Sequence, residues 1–130
     1  MKPAPIVDPG TEPYWEALKQ RRILLKRCQS CGKTHFYPRE LCPHCYSDDL
    51  DWVEASGKGT VYSYTVVHRS AGPAYADDVP YTVAVVELAE GPRMMSWITG
   101  ADEVRIGAPV KATFVTVDDI VLPMFEPVSD

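Results

Sequence analysis

Four cysteines are all the chain has, and they fall in two pairs. Cys28-Gln29-Ser30-Cys31 is followed by ten residues and then Cys42-Pro43-His44-Cys45. A Cys-x-x-Cys pair can bend its backbone around one cation, and two pairs supply four thiolates. That is the ligand number and softness of a tetrahedral zinc site. Catalytic zinc keeps one position open for water; four cysteines close the site, so the zinc expected on Cys28, Cys31, Cys42 and Cys45 is structural. Residues 28–45 are too few to bury a core, and zinc can supply on the order of ten kcal/mol to fold such a knuckle. Iron takes the same ligands, so spacing alone leaves Fe–S or rubredoxin-type iron as the alternative metal.

Other residue types with chemical potential have plainer readings. His35 or His44 could replace one thiolate. The reading taken is that His44 is an exposed filler of its loop and that His35 faces solvent or packs on a hairpin. His68, beside Arg69, is a candidate general base. No serine or cysteine nucleophile stands in the spacing of a recognisable catalytic motif, and a strand-end histidine bonded locally is the reading taken. Asp77-Asp78 is a possible carboxylate pair, read instead as a solvated loop tip. No residue is assigned as catalytic.

The frame around these residues is short-stranded. At 130 residues the chain suits one compact domain, with or without a small appendage, and can bury roughly two thirds of its surface. Twelve prolines break it into short elements. No apolar run approaches the ~18 residues of a membrane span. The first residues lack the apolar stretch of a signal peptide, so a cytoplasmic location is expected. In that reducing setting the cysteine pattern favours metal over disulfides.

In chain order, residues 1–10 read as an extended arm with Pro3, Pro5 and Pro9. Thr11 is a plausible N-cap for a helix to about Arg21, with Glu12 favourable near its positive end. Trp15 and Leu18 share a face of that helix, with Tyr14 beside them. The face either packs on its own domain or docks on a partner. Ile23 to Arg27 reads as a strand into the first knuckle, and Thr34 to Tyr37 as its hairpin partner. Leu50 and Trp52 take the chain out. The layout predicts a rubredoxin-like zinc ribbon over residues 23–52, after an N-terminal helical arm at 1–22.

Residues 53–130 predict five strands. They are Thr60–His68, Tyr81–Leu88, Arg93–Thr99, Val110–Val117 and Ile120–Phe125. A long loop over 69–80 separates the first two. The second strand is apolar at nearly every position and is expected to be buried on both faces. Five short, glycine-punctuated strands fit a closed OB-type barrel, because closure removes the edges that apolar strands would expose. The predicted fold class is mainly β: helical arm, zinc ribbon, five-stranded OB-fold barrel.

Charge is unevenly placed. The net charge is −5, split as +1 over residues 1–52 before any metal and −6 over residues 53–130. An acidic barrel opposes nucleic-acid binding, whose affinity rests on phosphate contacts.

The order of several blocks carries a resemblance over almost the whole chain. Pro13-Tyr14-Trp15-Glu16-Ala17-Leu18 precedes Leu24 to Cys28 and the two knuckles, with Phe36-Tyr37-Pro38-Arg39 between them. Then come Gly57-Lys58-Gly59-Thr60-Val61-Tyr62, Val85-Val86-Glu87-Leu88, Ile106-Gly107-Ala108-Pro109-Val110 and Leu122-Pro123-Met124-Phe125. This closely resembles the zinc-ribbon plus OB-fold family of acyl-CoA-associated proteins, long catalogued as a domain of unknown function. The resemblance implies a structural zinc on the four cysteines. It also implies an accessory subunit that binds acyl-CoA and docks on a thiolase-like or acyl-CoA hydratase-like partner. Lipid, sterol or polyketide-type metabolism would be its setting, as part of a hetero-oligomer.

No family motif gives the CoA contacts residue by residue. CoA carries three phosphate groups and wants cations, and the barrel offers Lys58, Arg69, Arg93, Arg105 and Lys111. Lys58 and Arg69 flank the first barrel strand and are the candidate CoA-binding residues. Two rival functions remain: a nucleic-acid module, for which Tyr62 and Tyr64 would stack bases, and a free-standing acyl-thioester enzyme using His68 or an aspartate as base.

Overall fold

The structure is a computed structural model describing residues 5–69, 72–100 and 103–128. The first four residues of the expected arm and residues 70–71 of the expected loop lie outside the described residues. Helix α1 runs Glu12–Lys19 with Thr11 at its N-cap, as the sequence predicts, but stops short of Arg21. Arg21 takes a left-handed conformation, φ 61°, which ends the helix. Thr11 does not cap with its side chain. Its hydroxyl instead lies 3.1 Å from the Asp8 carboxylate, tying the arm to the helix start.

The face of α1 is spent on its own fold. Tyr14, Trp15 and Leu18 are buried, and α1 packs on the ribbon and the last strand. These three side chains are therefore not a free docking surface, which settles the two readings in favour of internal packing.

The ribbon is a three-stranded sheet ordered β2-β1-β3, with β1 Leu24–Cys28, β2 Thr34–His35 and β3 Leu50–Glu54. β1 pairs with β2 through Lys26↔His35 and with β3 from Leu24↔Glu54 to Cys28↔Leu50. The segment expected to lead the chain out is thus a full third strand. The expected strand Thr34–Tyr37 keeps only two residues. Phe36 and Tyr37 leave the sheet to join an aromatic cluster with Tyr14, at ring-centroid distances of 5.7 and 5.4 Å.

Five strands close a barrel in the order β4-β5-β6-β8-β7. They are β4 Lys58–Val67, β5 Tyr81–Leu88, β6 Arg93–Ile98, β7 Pro109–Val117 and β8 Ile120–Pro127. β4 closes the ring against β7 through Lys58↔Lys111 to Thr60↔Pro109. Gly59 pairs with Val110 of β7 in that closure and with Leu88 of β5 on its other side, and the tight approach is on the β5 side. A Cβ there would lie 2.7 Å from the Glu87 carbonyl oxygen, so only glycine fits. A bulge between Val61 and Ser63 bends β4 and re-aims Tyr62. β6 and β8 run parallel and share one registered pair, Ile98↔Phe125, so the wall is thin there.

β5 departs from its expected two-sided burial. Ala84, Val86 and Leu88 are buried, whereas the alternate positions are only half-buried. A closed barrel has one inside, and the outer face of β5 has little covering it. The inner residues join α1 and the ribbon in one core with Leu18, Ile23, Leu25, Val61 and Phe125. Among the described residues no helix is long and apolar enough to cross a membrane.

Candidate functional site

The two knuckles are built alike. In the first, the Cys28 N–H donates to the Lys33 carbonyl at 2.9 Å and the Gly32 N–H to the Cys28 carbonyl at 2.9 Å. In the second, Cys42 N–H reaches the Ser47 carbonyl and Tyr46 N–H the Cys42 carbonyl, both at 2.8 Å. Each turn also aims a backbone N–H at its leading sulfur: Cys31 N–H at Cys28 Sγ, 3.4 Å, and His44 N–H at Cys42 Sγ, 3.3 Å. Such donors favour thiolate over thiol. A hydroxyl contact between Ser30 and Ser47, 2.9 Å, latches one knuckle to the other.

All four sulfurs lie within 4.8 Å of one another. Across the knuckles, Cys28 Sγ is 3.6 Å from Cys45 Sγ and Cys31 Sγ is 3.7 Å from Cys42 Sγ. Four thiolates on tetrahedral zinc at ~2.3 Å would sit about 3.8 Å apart, so the spacing suits that ion. The charge balance argues the same way. Cys28 is held down at about 6, chiefly by the Cys31 backbone N–H, with further help from the Cys45 thiol. Cys45 moves up: the Ser47 backbone N–H pulls it down, but burial and the neighbouring sulfurs outweigh that pull. Four adjacent thiols cannot all ionise by themselves; a dication lets them. Cys28 and Cys42 are buried while Cys31 and Cys45 are exposed, which leaves the metal a route in.

Among the described residues, neither nearby histidine belongs to the four-sulfur cluster. His44 is exposed within its loop. His35 is buried, not solvent-facing, with its Nε2 accepting the Arg39 N–H at 3.3 Å. Burial, then the basic neighbours Lys26, His44 and Arg39, lower its pKa. Its Nδ1 has no partner among the described residues.

The other candidates do not converge. His68 is exposed just past the end of β4. Asp77 is exposed in the turn after a 3₁₀ segment at Pro73–Tyr75, while Asp78 is half-buried and lines a cavity. Lys58 and Arg69 are both exposed, but at opposite ends of β4, whose ten residues span roughly 30 Å. They do not form one cationic cluster.

Two concavities lie on either side of Phe36. The larger, about 620 Å³, opens between β6 and the β7–β8 hairpin. Its walls include Tyr14, Trp15, Met94, Trp97, Val117 and Met124, and among the described residues Asp78 is the one charged side chain lining it. Trp97 stacks on Tyr81 at 4.1 Å, and the Trp15 indole N–H has no acceptor among the described residues. The smaller, about 360 Å³, is basic. It is lined by His35, Arg39, His44 and Arg93 where the ribbon meets the β5–β6 turn, and no acidic side chain among the described residues lines it. Spacing alone could not reveal either one, because each draws its walls from segments more than 45 residues apart in sequence. The one local signal was the Phe36-Tyr37-Pro38-Arg39 block.

Comparison with known proteins places the chain. Residues 15–51 match the ChsH2 rubredoxin-like zinc ribbon domain, and residues 52–115 match the ChsH2 C-terminal OB-fold domain. A Thermomonospora curvata protein named "Probable enoyl-CoA hydratase alpha subunit" is 41% identical over 98% of this chain; the chain spans only 40% of that relative's length. A "DUF35 domain-containing scaffold protein" of Methanocaldococcus jannaschii is 38% identical over 77% of this chain and 73% of its own. Among solved structures, the "Ltp2-ChsH2(DUF35) aldolase" contains a chain that superposes with a TM-score of 0.83 at 40% identity. The match covers 95% of this chain and 98% of that one. The chain belongs to the DUF35 family of ChsH2-type zinc-ribbon plus OB-fold proteins.

Proposed function

We propose that the chain is a non-catalytic accessory subunit of an acyl-CoA-processing enzyme. It binds acyl-CoA and docks on a hydratase-like or thiolase-like partner, in lipid, sterol or polyketide-type metabolism within the reducing cytoplasm. The observation that carries the reading is the near-complete match to the DUF35 chain of an aldolase complex. The relative named as a hydratase subunit adds a second acyl-CoA context. The described residues fit a helper better than an enzyme. The four cysteines form a complete ligand set, and His68 and Asp77 are not part of it.

Zinc bound by Cys28, Cys31, Cys42 and Cys45 would supply structure, joining the two knuckles of the ribbon. Its coordination sphere leaves no position for substrate. The test is co-purification from the native source, followed by calorimetry with octanoyl-CoA on the isolated chain and on the assembled complex. Recovery with a hydratase-like or thiolase-like protein, and binding of the thioester, is the expected result. Elution alone, with no octanoyl-CoA binding in either sample, defeats the reading.

A further inference from the structure

The two concavities flanking Phe36 have complementary chemistry, and they touch. Phe36 lines both, and Arg93 of the basic recess is followed directly by Met94 of the apolar cavity. Resting on the acyl-CoA reading above, we infer that they form one bipartite site. The recess at His35, Arg39, His44 and Arg93 takes the phosphate end of the thioester, and the cavity beyond Phe36 takes its acyl chain.

The recess has the features an anion needs. It sits in a chain of net charge −5, yet the charged side chains lining it are all basic. Arg39 is exposed, and its position is fixed from behind: Lys26 Nζ donates to the Arg39 carbonyl at 3.1 Å. The Arg39 N–H occupies His35 Nε2, so the ring proton of the neutral imidazole sits on Nδ1. That buried Nδ1–H lacks an acceptor among the described residues. A phosphate oxygen is an acceptor of the right charge for this surround. Arg93 is held at the rim by Glu87, 3.1 Å, and by the Tyr62 ring, 3.8 Å from its guanidinium carbon.

The cavity has the features an acyl chain needs. Its volume falls in the range of small-molecule sites. Met94, Met95 and Met124 offer adaptable apolar walls, and none of the described lining residues is a cation that would hold a phosphate. The Trp15 indole N–H is a wall donor without an acceptor among the described residues, and a thioester carbonyl would supply one. This assignment moves the phosphate contacts away from Lys58 and Arg69, which stand at opposite ends of β4.

The test uses the zinc-loaded full chain and three probes: octanoyl-CoA, free CoA, and octanoyl-N-acetylcysteamine, a thioester without phosphates. Tryptophan fluorescence reads binding, since Trp15 and Trp97 line the cavity. Arg39→Gln should weaken octanoyl-CoA and CoA about tenfold and leave the phosphate-free thioester unchanged. Val117→Trp and Thr116→Trp, which fill the cavity from a half-buried and an exposed position, should weaken both thioesters and spare CoA. Affinity should rise roughly fourfold for each methylene added to the chain. Unchanged melting and zinc content certify the variants. If octanoyl-CoA binds but Lys58→Ala, and not Arg39→Gln, weakens it, the bipartite site is wrong while the acyl-CoA reading stands. If octanoyl-CoA fails to bind while octanoyl-N-acetylcysteamine binds and is lost in Val117→Trp, the cavity stands and the acyl-CoA reading falls. If none of the three probes binds, both fall.

Discussion

Gly32 and Tyr46 occupy equivalent left-handed positions, φ 77° and 65°, each one residue past the second cysteine of its knuckle. Each donates its N–H back to the first cysteine's carbonyl, at 2.9 and 2.8 Å. The turn geometry that gathers the sulfurs therefore demands positive φ twice. Glycine meets the demand freely at one knuckle, while a largely exposed tyrosine bears the strain at the other. Gly32→Ala should cost about 1–2 kcal/mol, and Tyr46→Gly should be neutral or mildly stabilising because relief of strain offsets added chain entropy. Thermal melts of the zinc-loaded protein check both. Equal losses from the two substitutions would show that the knuckles are not equivalent.

Cys28 links the metal to the core: it is fully buried, ends β1 and pairs in register with Leu50. Cys28→Ser should release zinc and strip hydrogen-exchange protection from β1, β2 and β3 before the barrel strands lose theirs. Partner binding should weaken in step, and any loss of turnover in the complex should follow from dissociation. Chelation of the wild-type chain should reproduce the pattern. A complex that stays intact with Cys28→Ser yet stops turning over would contradict a structural metal.

Tyr14 separates internal packing from partner docking. Its ring is 2% exposed and meets Trp15, Phe36 and Tyr37 at centroid distances of 5.1–5.7 Å. Burial comes first among the causes that push its phenol well above the usual tyrosine range. Tyr14→Ala should destabilise the isolated chain by about 3–5 kcal/mol, the range of buried aromatic truncations. Denaturant melts without any partner give the number. A loss under about 1 kcal/mol would return this face to the docking surface.

His35 makes stability depend on pH through a lowered pKa. Above the unfolded value of ~6.5, folded and unfolded forms are both neutral, and its packing is fully present. As pH falls from ~6.5 through the lower folded value, the unfolded chain takes up a proton first, so stability drops. His35→Gln should flatten that part of the profile. The measurement is the difference between wild-type and variant melting temperatures at pH 7.5 and pH 5.5, which cancels the thiolates common to both. A difference that does not change between the two pH values would mean His35 contributes no linkage.

What the sequence made legible follows period and punctuation. The cysteine spacing announced the metal site, and β-branched runs between glycines and prolines announced all five barrel strands to within two residues at most ends. The third ribbon strand was missed because Leu50-Asp51-Trp52-Val53-Glu54 owes its strand state to pairing with β1, not to its own alternation. β5 was expected to be buried on both sides because its residues are apolar, but strand composition does not reveal how many layers cover a barrel wall. Lys58 and Arg69 are candidates because they flank one strand, and flanking a ten-residue strand means standing at its two ends. Arg39 and Arg93 lie 54 positions apart, and their shared recess exists only once the ribbon folds back on the barrel.

Ser96 mends the weakest seam of that barrel. β6 and β8 share a single registered pair, Ile98↔Phe125, so neighbouring backbone groups need another partner. The Ser96 hydroxyl donates to the Pro123 carbonyl at 2.6 Å and crosses the seam at the wall of the apolar cavity. A side chain there ties the strands together without filling the space between them. Ser96→Ala should cost about 1 kcal/mol, and local opening should speed hydrogen exchange at Thr99, whose N–H donates to the Phe125 carbonyl across the same seam. Ser96→Thr, which keeps the hydroxyl, should restore most of the protection. Equal exchange rates at Thr99 in the wild type and Ser96→Ala would show that the hydroxyl bond does not hold the seam.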